Sequence, residues 1–75
     1  MTYSGRAALR FMADELERVA TDPDRWEALW RHSDGSYWIE AYPESERHGG
    51  GAPNLERVGS ADADRFLARV RGPAS

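Results

Sequence analysis

The run from Arg25 to Tyr42 reads RWEALWRHSDGSYWIEAY, and the way it pairs with itself decides the fold. Two aromatic-rich arms, residues 25–32 and 36–42, flank Asp34-Gly35. Asp-Gly favours a type I′ two-residue hairpin turn, in which both central positions take positive φ. That turn sets Arg31 opposite Trp38, Trp30 opposite Ile39, Leu29 opposite Glu40 and Glu27 opposite Tyr42. Opposed residues share a face, and alternate pairs go to opposite faces. One face then carries Trp26, Ala28, Trp30, Tyr37, Ile39 and Ala41, which is apolar and reads as core. The other carries Glu27, Leu29, Arg31, Trp38, Glu40 and Tyr42. It is too polar for a core and too aromatic for idle surface.

N-terminal to the hairpin, Ser4 is positioned as an N-cap, with Tyr3 set to staple onto Ala8. Leu9, Met12, Leu16 and Val19 recur at three- and four-residue steps, which predicts one amphipathic helix over residues 5–21. Arg10 and Asp14 fall at i,i+4 on its polar side. Thr21-Asp22-Pro23 ends it, because the residue before proline avoids the helical region. On the C-terminal side, Pro43 to Pro53 is a long loop with three consecutive glycines, a length that often accompanies function. Residues 54–59 (NLERVG) predict a short third strand, with a bulge or a non-strand reading left open by imperfect alternation. Ala63, Phe66, Leu67 and Val70 then mark a helix over 61–71, capped by Ser60 and stopped by Gly72-Pro73. The expected fold is α+β: a small antiparallel sheet, hairpin plus short third strand, packed on one face by an N-terminal and a C-terminal helix.

Seventy-five residues make one domain, 1–75, with a modest core. The chain has no cysteine, which excludes disulfides and thiolate zinc sites. No run approaches the roughly 18 apolar residues of a membrane span, and the N-terminus mixes charges into its apolar positions unlike a signal peptide. The expectation is a cytoplasmic protein without membrane contact. The net charge of -3 is uneven: between Asp22 and Glu56 eight acids face three arginines. An acidic centre argues against nucleic acid, which needs a basic face, and suits a basic protein partner.

The catalytic motifs are incomplete. Gly49-Gly50-Gly51 lacks the following helix and the lysine of a phosphate loop, since all ten basic residues are arginine. Glu44, Glu46 and His48 alternate, but nothing fixes them as a metal site. The two histidines, with serines and acids, lack the rigid scaffold and pocket of a hydrolytic triad. The reading is therefore no enzyme, no cofactor and no metal. The expected partner-binding surface is Glu27, Arg31, Trp38, Glu40 and Tyr42 with Glu44, Glu46, Arg47, His48, Gly49, Gly50 and Gly51. Aromatic anchors ringed by charge are the usual composition of a protein interface.

A resemblance bears on the same residues. Trp26, Leu29, Arg31, Asp34-Gly35, Tyr37-Trp38, Tyr42-Pro43, Ser45-Glu46, His48-Gly49-Gly50-Gly51, Pro53 and Leu55 together resemble the polymorphic-toxin immunity proteins of immunity family twenty-seven. Where that family carries an acid directly after the Tyr-Trp pair, Ile39 intervenes here before Glu40. The resemblance implies a small bacterial protein that binds a cognate toxin domain one to one and neutralises it, with a monomer when free. It brings no catalytic residues. The rival expectation is a structural or adaptor module that self-associates through the aromatic and acidic sheet face.

Overall fold

A computed structural model describes residues 2–42 and 53–71. Asp34-Gly35 does turn a hairpin, but through three loop residues rather than two. The His32 N–H donates to the Ser36 carbonyl at 2.9 Å, and the Gly35 N–H donates to the His32 carbonyl at 2.9 Å. Gly35 takes the left-handed conformation, φ +92°, and Asp34 does not. Asp34 instead turns its carboxylate onto Ser36, accepting from the hydroxyl at 2.6 Å and the amide at 2.8 Å. These bonds, the hydroxyl's first, hold the Asp34 carboxyl below its ordinary range. A short acidic side chain that bonds its own backbone two residues on competes with the two-residue turn.

One extra loop residue shifts the register by one. The pairs are Ala28–Glu40, Leu29–Ile39, Trp30–Trp38 and Arg31–Tyr37. Such a slip moves one strand's whole set of side chains to the other face. Trp38 therefore shares a face with Trp30 and Ala28, while Tyr37 and Ile39 share the other with Leu29. The expected split into one apolar and one aromatic-charged face does not occur. Both faces have an apolar centre, and each needs a cover.

The elements run β1 (Thr2–Ser4), α1 (Gly5–Glu15), β2 (Leu16–Asp22), β3 (Glu27–His32), β4 (Tyr37–Ala41), β5 (Asn54–Val58) and α2 (Ser60–Arg71). The five strands form one sheet in the order β1-β5-β4-β3-β2, with every neighbour antiparallel. The α+β class and its antiparallel sheet are as expected, and the sheet is larger than the sequence suggested. The helix predicted over 5–21 stops at Glu15, and Leu16–Asp22 pairs with β3 instead. The register of that pair shifts between Arg18 and Ala20, which leaves Val19 as the bulged residue. Val19 and Thr21 are β-branched, and the turn at Pro23–Trp26 brings the segment back along β3. The stretch 54–59 is a strand in fact, set between β1 and β4.

The helices lie on opposite faces, which corrects the one-face packing. Strand β1 is one edge and β2 the other, so α1, which joins them, must cross a full face of the sheet. Its 11 residues give about 16 Å, close to the ~19 Å across four strand spacings. On that face Ala8, Met12, Trp38 and Leu55 are buried, with Tyr3, Phe11, Leu16 and Trp30 packed around them. Tyr3 stacks on Phe11 at 4.5 Å between centroids, and Phe11 meets Trp38 edge-on at 5.0 Å. With the helix ending at Glu15, its inward stripe is Ala8, Phe11 and Met12, and Leu9 faces out, 52% exposed. Ser4 holds the N-cap position without a side-chain cap bond, and the Gly5 N–H donates to the Pro53 carbonyl at 2.9 Å. On the other face, α2 lays Ala63 and Phe66 on Leu29, with Ala20, Tyr37, Ile39, Leu67 and Val70 around them. The α2 stripe is the one the sequence predicts.

Candidate functional site

Helix α1 crosses its face over Leu55, Trp38 and Leu16, and the β2–β3 turn lies at the end of that face beyond it. There the chain turns through Pro23 to Trp26, between β2 and β3. Trp26 adopts φ +55°, a left-handed conformation that a bulky residue seldom takes. Its ring stands 68% exposed, the most open of the large apolar side chains described.

Helix α2 fixes the base of this turn. Asp22 is 6% exposed, and its carboxylate accepts from the Asp24 N–H at 3.1 Å and from Arg69 Nε at 2.8 Å. The same guanidinium donates to Glu27 at 2.6 Å and lies 4.7 Å above the Phe66 ring. One cation thus neutralises two acids and ties strand ends to the helix. A buried acid without such a partner would be costly.

Beside Trp26 opens a cavity of about 340 Å³. It is lined by Thr21, Pro23, Trp26, Ala28, Glu40 and Tyr42, with the charged side chains Arg18, Asp22 and Glu27. Glu40 is held at both oxygens: Trp30 Nε1 donates to Oε1 at 2.9 Å, and the Tyr42 hydroxyl donates to Oε2 at 2.5 Å. The bond to Glu40, then burial and the Glu40 charge, push the Tyr42 phenol up to about 12. Trp30, Glu40 and Tyr42 form one chain of hydrogen bonds along the open end of the face.

The sequence-predicted contact residues separate into groups. Glu40 and Tyr42 come together as expected. Trp38 shares their face but is 3% exposed, sealed under Tyr3 and Phe11, with its Nε1 donating to Ser36 Oγ at 3.0 Å. It is a core residue, not a contact anchor, because the register slip turned it beneath α1. Arg31 is exposed beside Tyr37 on the opposite face, and Glu27 is engaged by Arg69. Glu44, Glu46, Arg47, His48, Gly49, Gly50 and Gly51 lie outside the described residues. Trp26, assigned to the core from its alternation, is the exposed aromatic instead. Its place one residue before β3, next to Pro23-Asp24-Arg25, was the available signal that it sits in a turn.

Among the described residues no three acids or histidines converge as a metal-binding group, and no helix is long and apolar enough to cross a membrane. The family model for immunity protein 27 matches residues 8–59, more than two thirds of the chain. The chain belongs to the immunity protein 27 family. Comparison with curated proteins and with solved structures gave no match. Membership supports an immunity-protein role and implies a protein partner, a cognate toxin. The match contains Trp26, Glu40 and Tyr42 and ends at Gly59, before the helix that supplies Arg69.

Proposed function

We propose that this chain binds a cognate bacterial toxin domain in the cytoplasm, one to one, and neutralises it by occluding its active-site or substrate cleft. The family match over residues 8–59 is the observation that carries the reading. The open end of the α1 face, with Trp26, Glu40 and Tyr42, is the contact surface. A well-exposed indole beside a cavity of about 340 Å³ has the composition of an interface anchor with its surrounding polar groups. The acidic centre of the chain supports a basic cleft as the target, since complementary charge speeds encounter and fixes orientation. The rival reading, self-association through the aromatic-acidic face, loses Trp38 as an anchor, because α1 covers it.

Co-expression tests the reading. The chain should restore growth to cells producing the toxin domain and should co-elute with it at equal stoichiometry. A chain that neither rescues growth nor forms a complex would overturn it. Sedimentation of the isolated protein should show a monomer.

A further inference from the structure

We propose that the cavity beside Trp26 is a socket for a single arginine side chain of the toxin domain. Its guanidinium would stack on the Trp26 indole and hydrogen-bond to Glu40. The proposal rests on the toxin-binding reading and adds the chemistry of the contact.

Glu40 is the centre of the argument. Both its oxygens are engaged, but by the neutral donors Trp30 and Tyr42. An ionised carboxylate offers about four acceptor positions, so the donors among the described residues leave about two open. Among the described residues no arginine or histidine forms an ion pair with it, whereas Asp22 and Glu27 share Arg69. The charges lining the cavity are Asp22, Glu27 and Glu40 against Arg18. Counting Arg69 as well, three acids stand against two arginines, so among the described residues the socket keeps an excess of one negative charge, with Arg18 the cation on its lining.

Shape and aromatic geometry complete the case. About 340 Å³ lies at the small end of ligand sites and suits one long side chain. Trp26 holds its exposed ring at the rim through a strained backbone, and such strain persists where the surroundings enforce it. Arginine fits better than lysine, because its planar guanidinium both stacks on an indole and donates two parallel bonds to a carboxylate. The donors already on Glu40 pre-set its rotamer, so little freedom is lost when the guanidinium arrives.

Two measurements test the socket. In the first, Nα-acetylarginine amide is titrated into the ¹⁵N-labelled chain while the Trp26 indole resonance is followed, with Nα-acetylcitrulline amide as an uncharged match. Saturable shifts with arginine, roughly tenfold weaker in Glu40→Gln and absent with citrulline, are expected. Equal response to citrulline, or an unchanged response in Glu40→Gln, overturns the proposal. In the second, Trp26→Ala and Glu40→Gln chains, shown by thermal unfolding to be folded, are titrated against the toxin domain. Each should lose roughly tenfold or more in affinity, less steeply at high salt for the charge variant. If both variants neutralise the toxin as the parent does, the socket is wrong and the toxin-binding reading stands. If the parent chain itself binds no toxin domain, that reading fails and the socket falls with it.

Discussion

Trp26 and Trp38 exchange the roles their sequence positions suggest, and the consequences are separable by substitution. Trp38 fills the centre of the α1 face, 3% exposed, so Trp38→Ala should cost about 3–5 kcal/mol of stability. Trp26, 68% exposed, should change stability by only about 0.5 kcal/mol on truncation, yet cost about 2 kcal/mol or more in toxin affinity. Urea unfolding and titration calorimetry read the two effects independently; a stability loss at Trp26 matching that at Trp38 would contradict the placement. Tyr42 gives a second handle. Its phenol is raised from about 10 to about 12 by the bond to Glu40. A raised acid contributes stability that is complete below pH ~10 and fades as pH climbs towards 12. With no lysine in the chain, few other groups titrate in that window. Unfolding midpoints should therefore fall more steeply between pH 10 and 12 in the parent than in Tyr42→Phe, and parallel curves would refute the bond. Which tryptophan faced out was not legible, because alternation reports the face of each strand only once the pairing register is known.

The register was set inside the hairpin loop, by the carboxylate of Asp34 and the backbone of Gly35. Asp-Gly announced a turn correctly, but the pair is compatible with a two- or a three-residue loop, and the three-residue form is the one in which the Asp34 carboxylate accepts from both the amide and the hydroxyl of Ser36. Helix α2 was readable because it carries one clean signal, an i, i+3, i+4, i+7 stripe; strand β5, with only Leu55 and Val58 apolar, was legible as a short strand whose alternation left other readings open. Leu16–Asp22 was not. Its bulge at Val19 resets the two-residue alternation, so Leu16, Val19 and Ala20 imitate the helical spacing of the segment before them. Gly35 tests the loop assignment directly. It sits at φ +92° with open space where a Cβ would be, so the cost of a side chain is purely that of the backbone conformation. Gly35→Ala should destabilise by about 1–2 kcal/mol, and Gly35→Asn by less, since asparagine tolerates left-handed geometry. Equal stability of all three chains in urea would mean that Gly35 does not close the loop in this way.

A single sheet with a helix on each face has two cores that share no residue, and the family match reaches only one of the covers. This sets up a test at the scale of the whole molecule. A chain ending at Gly59 keeps the matched region, the α1 core and every strand, but loses α2. It would lay bare Leu29, which is fully buried, together with Tyr37 and Ile39, and would remove the Arg69 cation from the buried Asp22. A domain of this length holds about 4–11 kcal/mol in total. Removing Phe66 from its site costs about 3–5 kcal/mol by the standard of large-to-alanine changes, before the loss of Ala63, Leu67 and Val70 is counted. These losses together match or exceed what the domain has. The truncated chain should therefore show no cooperative urea transition and should bind a hydrophobic dye. It should also fail to protect against the toxin even though Trp26, Glu40 and Tyr42 are all present. Cooperative unfolding of that fragment near the parent's midpoint would show that α2 is an accessory, and the clamp from Arg69 to the turn beneath Trp26 would lose its place in the account.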